Sequence, residues 1–262
     1  MQAKQKPMFT IRETAQRLWE AQRSGEEPPE ELKGRLTMEH AYPVQMEVLA
    51  LHLAEGQNLA GWKIGQTSRL MRQATGATSP ALGYLLGGRS FAAPHRLELA
   101  GARDCALEPE LAFILAQSLQ GPGITRERVR EAVASVAPAF ELVRSDPRWT
   151  EPAFKRAGNA GQWGYVLGQA VPGCPHARAL DELRLRLTNG DEVHLEAMGR
   201  DVNDNPLDSA AWLANALAAH GRALEPGQVI LTGSYSRLMP LRSGDRWEAS
   251  FEGIGAVALS AF

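Results

Sequence analysis

The chain has 262 residues, of which 44% are hydrophobic and 22% charged, so it is long enough for one large domain and disorder is not expected. Its formal net charge of −2 gives no electrostatic reason to expect nucleic acid or an anionic membrane surface as a partner. No apolar run approaches the roughly 18–20 residues that span a bilayer. Two cysteines, Cys105 and Cys174, are too few for a disulfide framework, which favours a reducing, cytoplasmic setting.

The first sixty residues carry helical patterns. Thr10 with Glu13 forms a capping-box pattern ahead of apolar residues at helical spacing. A second helix is predicted from Thr37 to about Gly56, with Pro43 in its first turns. We therefore predict an N-terminal helical part over residues 1–60 and a β-rich catalytic domain over residues 61–262.

Short strands and glycine-rich turns dominate after residue 61. A helix is predicted after Thr125, carrying Val129, Ala132, Val133 and Val136, and another begins at Asn205-Pro206 and ends near Gly221. Alternating residues on both sides of Asn189-Gly190 predict a hairpin with a type I′ turn. Further strands are predicted at 107–116, 139–143, 165–167, 229–232, 245–251 and 256–262. The predicted fold class is α+β.

Two acidic residues share one face of a predicted strand. Side chains alternate along a strand, so Glu108 and Glu110 point the same way, about 6–7 Å apart. Their face also carries Ala112 and Ile114, which suggests the floor of a cavity. The alternative is a strand whose start is solvated on one face.

A third acidic residue, Glu141, sits in the apolar stretch 136–143 (VAPAFELV), where a lone carboxylate is costly to bury. A hard cation would hold it together with Glu108 and Glu110, and oxygen-only ligands favour Mg²⁺ or Mn²⁺. A salt bridge from Glu141 to an arginine such as Arg144 is the competing explanation.

Two other segments offer polar groups. Lys63 lies between Gly61 and Gly65 in an apolar setting, where it could move a proton or offset enolate charge; a snorkelling surface lysine is the alternative. The segment from Leu231 to Tyr235 could offer backbone N–H groups and the Ser234 hydroxyl to a carboxylate, although a plain turn explains it nearly as well.

Several familiar patterns fail. Residues 201–205 (DVNDN) imitate the start of a calcium-binding loop, but Pro206 replaces the glycine that such a loop needs and Trp212 replaces its closing glutamate. The sequence has no phosphate-binding glycine motif and no Gly-x-Ser-x-Gly elbow.

Taken together, five stretches resemble the hydratase/decarboxylase branch of the fumarylacetoacetate hydrolase superfamily, in family order over nearly the whole chain. They are 61–68 (GWKIGQTS), 108–115 (EPELAFIL), 138–143 (PAFELV), 212–217 (WLANAL) and 224–234 (LEPGQVILTGS). The resemblance implies a β-rich mixed roll with an N-terminal helical part, usually in a homo-oligomer. It also implies a small 2-oxo acid substrate of aromatic-compound catabolism.

The resemblance also assigns roles to residues. Glu108, Glu110 and Glu141 would bind Mg²⁺ or Mn²⁺, and Lys63 would be the acid/base residue. Gly65, Ser68, Asn159 and Ser234 would contact the substrate.

Three positions depart from the family pattern. Ala81 stands where hydratases tend to have an aspartate, Gly158 replaces another acid, and Arg144 replaces the aspartate after the third metal glutamate. Losing acids weakens the hydratase reading in particular, whereas the loop at 233–237 (GSYSR) looks more like the hydratase form. The expected function is a metal-dependent hydratase of the 2-oxopent-4-enoate type. The alternatives are a 4-oxalocrotonate-type decarboxylase and a catalytically silent paralogue.

Overall fold

A computed structural model describes residues 9–24, 26, 29–69, 72–73, 76–102, 104–144, 151–174 and 180–262. The chain divides into two compact units, a helical unit of residues 1–57 and 146–160 and a larger unit of residues 58–145 and 161–262. The described part contains six α-helices. They are α1 (Ile11–Ser24), α2 (Met38–Ala54), α3 (Arg126–Ala132), α4 (Pro152–Ala157), α5 (Gly199–Val202) and α6 (Pro206–Ala218).

The helical unit is built from α1, α2 and α4. Thr10 and Glu13 form the predicted capping box, in which the Glu13 carboxylate accepts from the Thr10 N–H at 2.8 Å and the Thr10 hydroxyl accepts from the Glu13 N–H at 3.2 Å. The three helices bury one shared core, which includes Leu18, Val44 and Phe154. A division at residue 60 leaves α4 out of this unit, because the chain returns to it about a hundred residues later.

The larger unit contains fourteen described strands in two sheets. They are β1 (Leu59–Gly65), β2 (Ala81–Leu86), β3 (Ser90–Ala92), β4 (His95–Leu97), β5 (Cys105–Leu115), β6 (Val133–Arg144), β7 (Gln162–Leu167), β8 (Val171–Pro172), β9 (Arg184–Asn189), β10 (Glu192–Met198), β11 (Val229–Ser234), β12 (Met239–Pro240), β13 (Arg246–Phe251) and β14 (Gly255–Ala261).

The larger sheet is mixed and has the order β2-β1-β11-β5-β6-β7-β3, with β12 on β5 and β8 on β6. The strands β1 and β11 run parallel, and β11, β5, β6 and β7 are antiparallel to their neighbours. The second sheet has the order β10-β9-β13-β14-β4. The α+β prediction is confirmed by these helices and sheets.

Two local predictions need correction. The helix after Thr125 ends at Ala132, and Val133 and Val136 belong to β6, because apolar residues at 133 and 136 satisfy a buried strand as well as a helix. The predicted hairpin forms from β9 and β10, but only Gly190 of the Asn189-Gly190 pair has positive φ, at 58°. A type I′ turn needs positive φ at both residues, so the turn type was wrong.

No helix among the described residues is long and apolar enough to cross a membrane.

Candidate metal centre

Three carboxylates meet where β5 and β6 pair. Glu108 lies directly opposite Glu141 in the antiparallel ladder, and Glu110 follows two residues along β5 on the same face. One carboxylate oxygen from each of the three lies within 4.8 Å of the others. Glu110 and Glu141 are almost completely buried, at 1% and 0% exposure. The solvated-strand alternative is therefore wrong.

Lys63 on β1 reaches the same centre across β11. Its Nζ lies 3.1 Å from Oε1 and 3.5 Å from Oε2 of Glu141, and the residue is 4% exposed. Lys63 is therefore no snorkelling surface lysine. The ion-pair partner of Glu141 here is Lys63, while Arg144 lies exposed at the end of β6, three residues beyond Glu141.

The backbone of Gly233 holds Glu110. Register shifts between Leu231 and Ser234 in β11, and within this irregular stretch the Gly233 N–H donates to Glu110 Oε2 at 2.8 Å. Gly233 has a φ of 113°, and a Cβ there would collide with the Thr67 side chain. The sequence suggested that this loop would offer N–H groups to a carboxylate, and here the acceptor is a carboxylate of the protein itself.

Burial and mutual repulsion shift the acidic groups. Burial, followed by the charge of Glu141, raises the pKa of Glu108 to about 7, although Lys63 opposes the shift. The same causes, with Glu108 added, raise the pKa of Glu110 well above its ordinary value, while the Gly233 N–H works the other way. Burial lowers the pKa of Lys63, but the three glutamates outweigh it, so the pKa is raised overall and Lys63 keeps its proton.

These groups fit a divalent cation. Three carboxylates and one ammonium leave a formal charge of −2, which one divalent ion neutralises. Hydrogen-bond geometry to Lys63 is met at Oε2 of Glu141, and Oε1 has no hydrogen-bond donor in the described part of the chain. Oxygens around Mg²⁺ lie about 3–4 Å apart, given bonds of about 2.1 Å, so only a small contraction of this cluster is needed.

The other predicted contact residues lie in different places. Gly65 ends β1, and a Cβ built on it would lie 3.6 Å from Lys63 Nζ. Ser68 is half-buried in the turn after β1, and the Ser234 hydroxyl bonds within its own loop to Ser236, donating to O at 2.8 Å and accepting from N at 3.1 Å. Asn159 is buried with a φ of 63° and belongs to the helical unit.

The departures from the family pattern are also placed. Ala81 pairs with Gly65 across β1 and β2, and its Cβ would lie 3.8 Å from a Cβ at Gly65. An apolar methyl group therefore stands near Lys63 where hydratases tend to have an acid. Gly158 follows α4 as its C-cap in the helical unit.

The sequence analysis missed two residues near the centre, Thr67 and Asn203. Both are buried, at 5% exposure each, and Asn203 Nδ2 donates to the Gly233 carbonyl at 2.9 Å. The only signal for Asn203 was a calcium-loop imitation, which failed on other grounds.

A known family has this fold. The family profile described as "Fumarylacetoacetate (FAA) hydrolase C-terminal" matches residues 57–260, which is most of the chain. The chain therefore belongs to the fumarylacetoacetate hydrolase family, and the family resemblance seen in the sequence is confirmed.

Particular relatives are hydratases. The chain is 34% identical to the 2-hydroxyhexa-2,4-dienoate hydratase of Comamonas testosteroni, over 95% of this chain and 96% of the relative. It is 29% identical to the 2-keto-4-pentenoate hydratase of Paraburkholderia xenovorans (strain LB400), over 94% of this chain and 92% of the relative. The predicted enzyme class, a lyase of the hydratase or decarboxylase type, is confirmed by such relatives.

A solved structure is also similar over the full chain. It is the 4-oxalocrotonate decarboxylase from Pseudomonas putida G7, solved with calcium and acetate, with a TM-score of 0.87 and 25% identity. The match covers 98% of this chain and 100% of the decarboxylase. The same decarboxylase was also solved with magnesium and adipate. The predicted fold type is thereby confirmed.

Proposed function

We propose that this protein is a divalent-metal-dependent hydratase of 2-hydroxy-dienoic acids, of the 2-oxopent-4-enoate type. The observation that carries the proposal is the buried cluster of Glu108, Glu110 and Glu141 with Lys63, in a chain whose relatives include dienoate hydratases. Such a cluster is costly to bury without a cation.

The protein groups divide the work. Glu108, Glu110 and Glu141 would hold Mg²⁺ or Mn²⁺, which when bound supplies a Lewis acid for the carboxylate and 2-oxygen of the substrate. Lys63, which keeps its proton beside Glu141, would stabilise negative charge on the substrate and deliver a proton. Gly65, Ser68, Asn159 and Ser234 are the proposed substrate contacts.

The reaction has two stages. The dienol loses its hydroxyl proton and gains a proton at the terminal carbon, which leaves a 2-oxo acid with one conjugated double bond. The hydroxyl group and the hydrogen of one water molecule then add across that double bond. Lys63 is placed to act in the first stage, because its ammonium is held at the carboxylate cluster where the 2-oxygen would bind.

Decarboxylation of 2-oxo-3-enedioates is the second candidate. Two observations favour it, namely the similarity to 4-oxalocrotonate decarboxylase and the methyl group of Ala81 near Lys63 in place of an acid that could position water. The same electron sink would accept the electron pair left by departing carbon dioxide.

Two substrates separate these activities. The purified protein with Mg²⁺ is incubated with 2-hydroxypenta-2,4-dienoate and with 2-oxohex-3-enedioate, followed by ultraviolet absorbance and product analysis. Loss of the dienoate with formation of 4-hydroxy-2-oxopentanoate is expected. Carbon dioxide release from the enedioate alone would favour the decarboxylase, and silence on both would favour a paralogue without this activity. Glu110→Gln should abolish metal binding and turnover together.

The setting follows from the same proposal. We propose a cytoplasmic homo-oligomer that serves aromatic-compound catabolism. The support is the kind of relatives that the chain has and its two free cysteines, Cys105 and Cys174.

A further inference from the structure

Gly233 is held on both sides by hydrogen bonds. Its N–H donates to Glu110 Oε2 at 2.8 Å, and its carbonyl accepts from Asn203 Nδ2 at 2.9 Å. All three residues are buried. Because a φ of 113° is open to glycine and few other residues, the two bonds, rather than a side chain of its own, fix how Gly233 presents its N–H to Glu110.

Asn203 is an expensive residue for this position. It is 5% exposed and directly follows α5, where its N–H donates to the Gly199 carbonyl at 2.8 Å. Its Oδ1 is buried with no hydrogen-bond donor among the described residues. An unsatisfied buried polar atom costs about 1–3 kcal/mol, so fold stability alone does not account for an amide here. The donor on Nδ2 is the useful part of the side chain.

The neighbouring residue ties this segment to the strand that carries Lys63. Asp204 Oδ2 lies 3.2 Å from Nη2 of Arg72, and Nη1 of Arg72 donates to the carbonyls of Gln66 and Thr67, which follow β1. Thr67 in turn lies against the Cα of Gly233. The loop after β1 and the segment 203–204 therefore meet at Gly233.

We infer that Asn203 is a positioning residue of the metal centre. Its amide holds Gly233 so that the N–H engages Oε2 of Glu110 and leaves Oε1 for a cation. This inference rests on the proposed metal-dependent function. Hydrogen-bond partners of ligating carboxylates orient the ligands, and their loss typically weakens metal binding about 10–100-fold. The segment 201–205, which fails as a calcium loop, would thus serve another metal site at one remove.

Two variants test the inference by Mn²⁺ binding, measured by electron paramagnetic resonance, and by thermal unfolding of the metal-free protein. Asn203→Leu removes both the donor and the unsatisfied oxygen, and Asn203→Asp keeps the shape without the donor. Asn215→Leu is the matched control, because Asn215 Nδ2 donates to the Ile124 carbonyl at 2.9 Å, outside the centre.

We expect both Asn203 variants to bind Mn²⁺ about 10-fold more weakly, in the range for such partners, while Asn203→Leu unfolds within a few degrees of wild type. Asn215→Leu should unfold earlier and keep the wild-type Kd. Wild-type Kd values in both Asn203 variants would overturn the inference, as would an equal loss of affinity in Asn215→Leu. If the wild type fails to bind Mn²⁺, or Glu110→Gln binds it equally well, the proposed function itself is wrong. Should one Asn203 variant fail to fold, the other decides.

Discussion

Glu108 and Glu141 face each other directly across β5 and β6, the position at which like charges destabilise a sheet. The pairing places both carboxylates, with Glu110, within 4.8 Å of one another in a largely buried centre. The folded protein carries this cost in the absence of a cation, and a cation would convert it into binding free energy. Metal binding and stability should therefore be strongly linked.

Glu108→Gln should stabilise the metal-free protein and abolish its stabilisation by Mg²⁺. The pKa of Glu108 is about 7 in the folded state against 4.5 ordinarily, so at intermediate pH the folded protein binds a proton that the unfolded chain releases. Stability is then lost as pH rises from about 4.5 through about 7. Thermal unfolding between pH 5 and 8, with and without Mg²⁺, measures this, and we expect a Tm several degrees above wild type at pH 8.

Glu248→Gln is the matched control for that experiment, because Glu248 is exposed on β13. It should follow the wild-type pH profile and keep the response to Mg²⁺. A Glu108→Gln protein that unfolds earlier than wild type at pH 8 without metal would show that Glu108 is not strained by its neighbours.

Lys63→Met should separate metal binding from turnover. The ammonium repels a cation but offsets the three carboxylates, so its loss should destabilise the metal-free protein and leave Mn²⁺ affinity equal or higher. Turnover should fall about 100-fold or more, the range for a positioned proton donor. Lys155→Met, in α4 of the helical unit, is the exposed control. Near wild-type turnover in Lys63→Met would remove Lys63 from the mechanism.

Gly233→Ala should weaken both folding and metal binding. The added Cβ would collide with Thr67, so the N–H must move away from Glu110. Gly227→Ala is the control, because Gly227 also has positive φ, at 81°, but has open space around it. Backbone strain alone costs of the order of 1–2 kcal/mol in both variants, so an extra loss of Tm and Mn²⁺ affinity in Gly233→Ala reports the close contact. Equal behaviour of the two variants would contradict it.

The sequence predicted the ligand set because strand alternation is a local rule. Glu108 and Glu110 had to share a face once β5 was assigned, and Glu141 stood out as a carboxylate in an apolar run. Register was the missing information: nothing local says that Glu141 pairs with Glu108, and a shift by one residue would turn its side chain to the other face. The family resemblance supplied what spacing could not.

Longer-range contacts could not be predicted at all. Lys63 reaches Glu141 across β11, which lies about 170 residues away in sequence, and Asn203 reaches Gly233 from the end of a four-residue helix. The failure of the type I′ prediction has a different cause. Asn-Gly is permissive for positive φ at both residues, but Asn189 is held in the β9 ladder opposite Glu192 and Trp247, which keeps it extended.

Gly65→Ala should lower turnover without harming the fold. A Cβ at Gly65 would lie 3.6 Å from Lys63 Nζ and 3.8 Å from the Cβ of Ala81, both ordinary contact distances. The methyl group would nevertheless occupy the space beside the ammonium that the proposed substrate must approach. We expect kcat/KM to fall about 10-fold, equivalent to about 1.4 kcal/mol, with unchanged Tm and Mn²⁺ affinity. Gly101→Ala, where a Cβ would also make only an ordinary contact, 3.8 Å from the Glu98 carbonyl oxygen, should change none of these quantities. Wild-type turnover in Gly65→Ala would mean that substrate reaches Lys63 from another side.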